Sequence, residues 1–268
     1  MNPAAVGAAT VPPVLAVERS IAALTDPVFV SDLHLTGERP RTVGRFLRFM
    51  REDAPAHPEL VVLGDLFEFW IGDDAGDAAA PIIDALATAS RSGQRVLVMH
   101  GNRDPLLGRD FSHATGATLM ADPLVTDVAG TRTLISHGDA WCTLDVAYQQ
   151  MRATVHQPQF QSEFLARPIA ERVAFARSLR MQSESEKAVK AKDIMDVTPH
   201  AVVDAVRAAG VRRVIHGHTH RPAAHVMDVD GHRFERWVLP DWDLDDAELR
   251  GGFLDFEGGK PRLVFFDD

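Results

Sequence analysis

Cysteine is nearly missing: Cys142 is the single one in 268 residues. No internal disulfide can form, which fits a reducing cytoplasm. No apolar run reaches the length needed to span a bilayer. Basic blocks of the kind used as nucleic-acid tails are absent, and 28 Lys and Arg against 38 Asp and Glu give a formal net charge of −10. Such a surface repels nucleic acid as a whole, which disfavours a nuclease. There are no repeats, and the one biased stretch is the Ala/Pro-rich start. Its small apolar residues resemble a signal peptide, but the first positive side chain is Arg19 and Pro12-Pro13 breaks any helix. Residues 1–25 are therefore expected to form a loosely ordered N-terminal extension.

What remains is ordinary globular composition, with 46% apolar and 25% charged residues. The length suits one large α/β domain, or one domain carrying an insertion. Short β-branched or apolar runs predict buried strands at Pro27 to Asp32, Leu60 to Asp65, Arg95 to Gly101, Thr133 to His137 and Val211 to His216. Helical stretches lie between several of them, at Thr42 to Met50, Ile82 to Ser90 and Pro199 to Ala209. This alternation argues for a partly parallel sheet with helices on its faces. Short strands follow at His225 to Val229, Phe234 to Leu239, Gly252 to Phe256 and Leu263 to Phe266, with turn signals at Asp230-Gly231 and Gly258-Gly259. They are expected to complete a second, antiparallel sheet. The stretch from Trp141 to Val197 breaks the rhythm. It reads as helical, with Leu165, Ile169, Val173 and Ala176 on one face and Tyr148, Met151 and Val155 on another. The expected organisation is a core of 26–140 and 198–268 interrupted by a helical cap at 141–197.

The polar residues collect where the first five strands end: Ser31-Asp32-Leu33-His34, Gly64-Asp65, Gly101-Asn102-Arg103-Asp104, Ser136-His137-Gly138-Asp139 and Gly217-His218-Thr219-His220. The carboxyl edge is where open α/β sheets build sites. Carboxylate, imidazole and amide donors without thiolate suit Mn²⁺, Fe²⁺ or Zn²⁺ at a catalytic site. The candidate ligands are Asp32, His34, Asp65, Asn102, His137, His218 and His220, too many for one catalytic ion and enough for two that share a carboxylate. Asp32-x-His34 and His218-x-His220 are expected to present ligand pairs from one side of extended backbone. Each motif alone has an ordinary reading as a turn or surface loop. Five in this order, each after an apolar strand, are hard to assign to chance.

These motifs resemble those of the calcineurin-like metallophosphoesterases. More narrowly, Phe67-Glu-Phe-Trp-Ile-Gly-Asp-Asp74, Ala147-Tyr-Gln-Gln150, Ile194-Met-Asp-Val197 and His216-Gly-His-Thr-His-Arg-Pro222 resemble the branch that hydrolyses UDP-2,3-diacylglucosamine in lipid A synthesis. The resemblance spans roughly Val28 to Trp242. It implies a mixed α/β fold, a two-sheet β-sandwich flanked by helices. It implies Mn²⁺ held by Asp32, His34, Asp65 and His220, and a second by Asp65, Asn102, His137 and His218, with Asp65 the bridge. Asp65, Asn102, Arg103 and His137 are the implied catalytic residues. Implied substrate contacts are Asn102, Arg103, Asp145, Ser183, Lys187, Lys190 and His218. Two positions depart from the family pattern: Lys187 stands where Asn is expected, and Leu144 replaces an acidic residue before Asp145.

Many phosphoesterases of this class carry histidine where Arg103 stands, to protonate an alkoxide leaving group. Arginine cannot do so, but a phosphate leaving group needs no acid. Hydrolysis of the diphosphate to UMP and a diacylated sugar 1-phosphate follows as the expectation, by an enzyme peripheral on the cytoplasmic face of the inner membrane, with no nucleic-acid or obligate protein partner. Residues Trp141 to His200 carry eight Lys and Arg against seven Asp and Glu, the least acidic part of the chain. Phe160, Phe164, Leu165, Ile169, Phe175 and Leu179 are expected either to line an acyl cleft or to pack the cap onto the core. Arg167, Arg172 and Arg177 are expected to help it approach anionic lipid. A general phosphodiesterase or nucleotide pyrophosphatase, and a non-catalytic binding module on the same fold, are the alternatives.

Overall fold

A computed structural model describes residues 17–187 and 196–267. Two mixed sheets face each other. In the first the order is β11-β10-β1-β2-β3-β4, built from β1 (Pro27–Val30), β2 (Glu59–Leu63), β3 (Arg95–Met99), β4 (Thr118–Met120), β10 (Gly252–Glu257) and β11 (Lys260–Phe265). In the second the order is β5-β6-β7-β9-β8, from β5 (Leu124–Val128), β6 (Thr131–Ser136), β7 (Arg213–His216), β8 (Ala223–Val229) and β9 (His232–Val238). Strands β1 to β4 run parallel, as do β6, β7 and β9. Strands β1, β2 and β7 are buried along their whole length, their apolar residues covered on both faces of the sheets.

The strand period of two sorts the core into layers. Phe29, Val61, Leu63, Leu97 and Met99 point between the sheets, where they meet Ile135, Ile215 and Leu254. Their neighbours Val28, Val30, Leu60, Val62 and Val98 point outward, to α1 (Pro40–Glu52), α2 (Ala80–Arg91) and α3 (Arg109–Thr115). On the far side Leu134 and Val214 pack with Val202 and Val206 of α7 (Pro199–Ala209). The four late strands do not all join one sheet, as expected from sequence. The β8–β9 hairpin completes the second sheet, but the β10–β11 hairpin pairs antiparallel with β1, Phe29 facing Leu254. Burial explains the difference: Leu254 is fully buried at the sandwich interior. Both turns are as read, with Asp230 and Gly231, then Gly258 and Gly259, in the left-handed region.

Residues 17–25, grouped with the extension from sequence, are tied to the core. Glu18 bridges Met120, Leu24 bridges Val128, and Leu24 is buried. Residues 1–16 lie outside the described residues. Three helices occupy the stretch after β6: α4 (Val146–Val155), α5 (Pro158–Leu165) and α6 (Ile169–Lys187). Leu165 and Ile169, expected on one helix face, fall on different helices because Pro168 separates them, and Ile169 is exposed. Met151 is also exposed, so α4 has no buried residue.

Candidate metal centre

Strand register brings the five motifs together. Val30 pairs with Val62, Leu63 with Met99, and Ser136 with His216, so the segments after β1, β2, β3, β6 and β7 leave their sheets at one edge. Backbone hydrogen bonds carry the alignment past the strand ends: Asp32 N–H to Gly64 O, His34 N–H to Asp65 O and Gly217 N–H to His137 O, all 3.0–3.1 Å. The ligand pairs are not on extended backbone. Asp32, His34, Asp65, His218 and His220 all have φ between 48° and 68°. Only two other described non-glycine residues have positive φ, Ala129 and Asp230. Left-handed backbone costs about 1–3 kcal/mol per residue and persists only where surroundings enforce it. Here it turns each side chain off its strand toward a common point.

Two glycines make room. A Cβ on Gly101 would overlap the Asp65 carboxylate, and one on Gly217 would overlap the Ser31 hydroxyl and Asp32 carboxylate. Asp104, 0% exposed, braces the loop: its carboxylate accepts N–H groups from Gly101 (2.8 Å), Phe67 (3.2 Å) and Asp65 (3.3 Å).

The candidate ligand atoms form two overlapping groups. Donor atoms of Asp32, His34 and His220 lie within 4.8 Å of one another, and so do those of Asp32, Asp65 and His137. The Asn102 Oδ1 sits 3.0 Å from both His137 Nε2 and His218 Nδ1. Outer partners orient the rings. His137 Nδ1 donates to Leu63 O (2.9 Å), and His220 Nδ1 lies 3.3 Å from Asp241 Oδ2. Each therefore turns Nε2 inward, and the Nε2 atoms of His34 and His220 are 3.4 Å apart. Asp32 Oδ2 accepts the Ser31 hydroxyl (2.6 Å) and His218 N–H (2.8 Å), while Asp32 Oδ1 is buried without a hydrogen-bond partner. A buried carboxylate oxygen without a donor is costly. Converging lone pairs around it fit divalent cations, and every one of the seven donors suits Mn²⁺, Fe²⁺ or Zn²⁺.

Titration behaviour shows the same tension. Burial pushes the Asp65 carboxyl up to about 7; His137 opposes this, while Asp104 and Asp32 reinforce it. Burial also disfavours charge on His137, yet Asp65, Asp32 and Asp139 outweigh it and push that imidazole up to about 9. His220 reaches about 9 against its burial through Asp241 and Asp32. His218 is pushed down to about 3 by burial and by His137. His34 lies well below its ordinary value, from burial and then His220. Asp32 is held below the ordinary range: burial opposes, and the charge of His220, whose Nε2 lies 3.5 Å from Asp32 Oδ1, prevails together with those of His137 and His34. Protons on some imidazoles thus balance the carboxylates, a balance that divalent cations can replace.

Arg103 stands beside this cluster. Its N–H donates to Asp65 Oδ1 (2.8 Å), and among the described residues its guanidinium has no hydrogen-bond or ion-pair partner. The alternative of a surface salt bridge finds no partner among the described residues. Asp145 caps the N-terminus of α4, accepting Tyr148 N–H at 3.2 Å. Lys190 lies outside the described residues, and the side chains of Ser183 and Lys187 lie outside them too.

Four acidic residues were missed from sequence. Asp104 and Asp139 are final letters of recognised motifs, and their burial gives them structural work. Asp139 accepts the Tyr148 hydroxyl and Arg152 Nε, both at 2.7 Å, tying α4 to the turn after His137. Asp241 follows β9, with Arg250 Nε at 3.0 Å on the same oxygen that faces His220. Glu68 sits between His34 Nδ1 (3.6 Å) and Arg180 Nε (3.4 Å). Arg172 is a further correction. It is 2% exposed and bonded to Asp74, so it has no surface for lipid.

A family model for the calcineurin-like phosphoesterases matches residues 27–222. A protein of Bordetella pertussis named UDP-2,3-diacylglucosamine hydrolase is 45% identical over 237 residues, 87% of this chain and 92% of that protein. One of the same name from Aeromonas salmonicida is 47% identical over 216 residues, 80% of this chain and 85% of that one. A third, from Pseudomonas aeruginosa, is 46% identical over 217 residues, 81% and 90%.

Proposed function

The chain belongs to the calcineurin-like phosphoesterases, within them to the UDP-2,3-diacylglucosamine hydrolases, and from this premise we propose that it cleaves the diphosphate of UDP-2,3-diacylglucosamine to UMP and 2,3-diacylglucosamine 1-phosphate. The observation that carries the reading is the Arg103 guanidinium, unpaired among the described residues and anchored by its own backbone to the Asp65 carboxylate. It is a fork of donors beside seven metal-type ligands, with no carboxylate hydrogen-bonded to it among the described residues, as the charged oxygens of a diphosphate require.

Two Mn²⁺ ions, when bound, supply Lewis acidity and lower the pKa of water. Asp32, His34, Asp65 and His220 would hold one, and Asp65, Asn102, His137 and His218 the other. The chain's own groups do the rest. Arg103 orients the diphosphate and meets charge that builds on its equatorial oxygens. Asn102 and His218, on adjoining loops, fix the phosphate that faces Asp65. No side chain need protonate the leaving phosphate, which departs as a stable anion. The helices of 141–197 act as the cap, with Asp145, Ser183, Lys187 and Lys190 as contacts to the rest of the substrate.

The lipid-linked substrate sets the work at the cytoplasmic face of the inner membrane. Among the described residues no helix is long and apolar enough to cross one. Among the described residues of the cap, Arg167 and Arg177 are exposed cations available to anionic headgroups. Phe164 is buried against the core, and Phe160, Leu165 and Phe175 pack beside it partly exposed, so these residues hold the cap down and offer an apolar edge. The test is product analysis: UDP-2,3-diacylglucosamine with Mn²⁺ should release UMP stoichiometrically with the sugar phosphate. Faster hydrolysis of bis(p-nitrophenyl) phosphate than of the sugar nucleotide would support a general phosphodiesterase instead.

A further inference from the structure

We infer that Asp74 and Arg172 are a positioning pair that sets α6, and with it the lipid side of the site, at a fixed distance from Arg103; this rests on the lipid-substrate reading above. Arg172 lies in the first half of α6 and is 2% exposed. All three of its guanidinium nitrogens are engaged. Nη1 donates to Asp74 Oδ1 (2.8 Å) and to Ile71 O (2.7 Å), Nη2 to Asp74 Oδ2, and Nε to Arg167 O (3.0 Å). Gly72 is the condition for this approach. Its φ is 129°, and a Cβ there would meet Arg172 Nη1 at 2.5 Å and Leu165 Cδ2 at 2.7 Å.

The same short segment is bound to the phosphate side. Trp70 N–H donates to Arg103 O (3.0 Å), and Phe67 N–H donates to Asp104 (3.2 Å). Asp73 accepts the Trp70 indole N–H (2.9 Å) and the N–H groups of Gly108 (3.0 Å), Asp110 (2.9 Å) and Phe111 (3.1 Å). Two adjacent carboxylates thus face opposite ways, Asp73 into the core beside the Arg103 loop and Asp74 into α6. Residues 70–74 form a rigid bracket between the two. The apolar contacts of Phe160, Phe164 and Phe175 also hold the helices down, with ring centroids 5.4–6.4 Å apart. Such contacts are non-directional and permit sliding. A buried guanidinium with one carboxylate partner tolerates a single register.

The test uses the full-length enzyme and two readouts. Asp74→Asn is the mild variant, since the Asp74 side chain is 58% exposed; Arg172→Met is the severe one, and Asp74→Glu is the rescue. With UDP-2,3-diacylglucosamine, Asp74→Asn should raise KM about tenfold, while kcat/KM for bis(p-nitrophenyl) phosphate stays within about twofold. Asp74→Glu should recover most of the lost affinity. Amide exchange over 169–181 should accelerate about tenfold in Asp74→Asn, with β1 to β3 unchanged. Equal losses on both substrates, or unchanged exchange over 169–181, would overturn the pair's role. Should the wild type leave the lipid nucleotide uncleaved, the substrate reading fails, and the exchange measurement alone still decides whether the clamp exists.

Discussion

Asp65→Asn should make the metal-free protein more stable at pH 8 and the metal-loaded protein less stable. Asp65 is 2% exposed, and its Oδ1 accepts the Arg103 N–H at 2.8 Å, a bond that the Asn oxygen keeps. What the substitution removes is a buried charge. The Asp65 carboxyl rises from 3.8 to about 7 on folding. At about 1.4 kcal/mol per unit, the ionised group costs the folded state about 4 kcal/mol above that pH. The attraction of His137 is already contained in that value, so a neutral Asn is favoured by the same amount. The sign follows from a raised acid: the cost is absent below the unfolded value near 3.8, grows with pH, and is complete above about 7. With metal the order reverses. An ion at about one hundred times its dissociation constant stabilises by about 2.7 kcal/mol, so two give about 5 kcal/mol, and the variant, whose missing carboxylate belongs to both sites, forfeits both and falls behind. Urea unfolding of chelator-treated proteins at pH 4.5 and 8, repeated with Mn²⁺, reads all four quantities. A variant less stable than wild type at pH 8 in chelator, or one that gains as much from Mn²⁺, would refute the reasoning.

Other expectations follow from the same geometry. Arg103→Ala should lower kcat/KM by about 10²–10³ with metal content unchanged by elemental analysis, and Arg103→Lys should restore only part, because a point charge cannot fork. Gly217→Ala should drive a methyl group into the Asp32 carboxylate; thermal denaturation should show a loss of about 1–3 kcal/mol, and titration a weakened first metal site. Asp241→Asn should loosen the ring of His220, which it faces at 3.3 Å, and weaken Mn²⁺ affinity about 10–100-fold by calorimetry.

The edge that carries the site was legible because each of its strands is a short apolar run halted by polar residues, as Val28 to Val30 is by Ser31 and Asp32. The family resemblance carried by those motifs is borne out by relatives 45–47% identical over most of the chain. Strand β4 escaped notice because it has three residues, too few for periodicity to register. Strand β5 does alternate, buried at Leu124, Thr126 and Val128, but its polar Thr-Asp centre masks the pattern. The placement of β10 beside β1 depends on a pairing between Phe29 and Leu254, which no local signal encodes. The left-handed ligand backbone was hidden for a related reason. Asp and His adopt positive φ more readily than most residues but far less freely than glycine, so residue type alone did not signal it, and the neighbouring loops impose it. Arg172 read as a surface cation because helical period reports a face, not a partner. Its partner, Asp74, is supplied from another segment of the chain.

Anomalous diffraction at the manganese edge, from crystals grown with Mn²⁺, tests the central claim most directly. Two peaks should flank the Asp65 carboxylate, one also within reach of Asp32, His34 and His220, the other of Asn102, His137 and His218. A single peak, or a pair that Asp65 does not join, would contradict the shared-carboxylate centre.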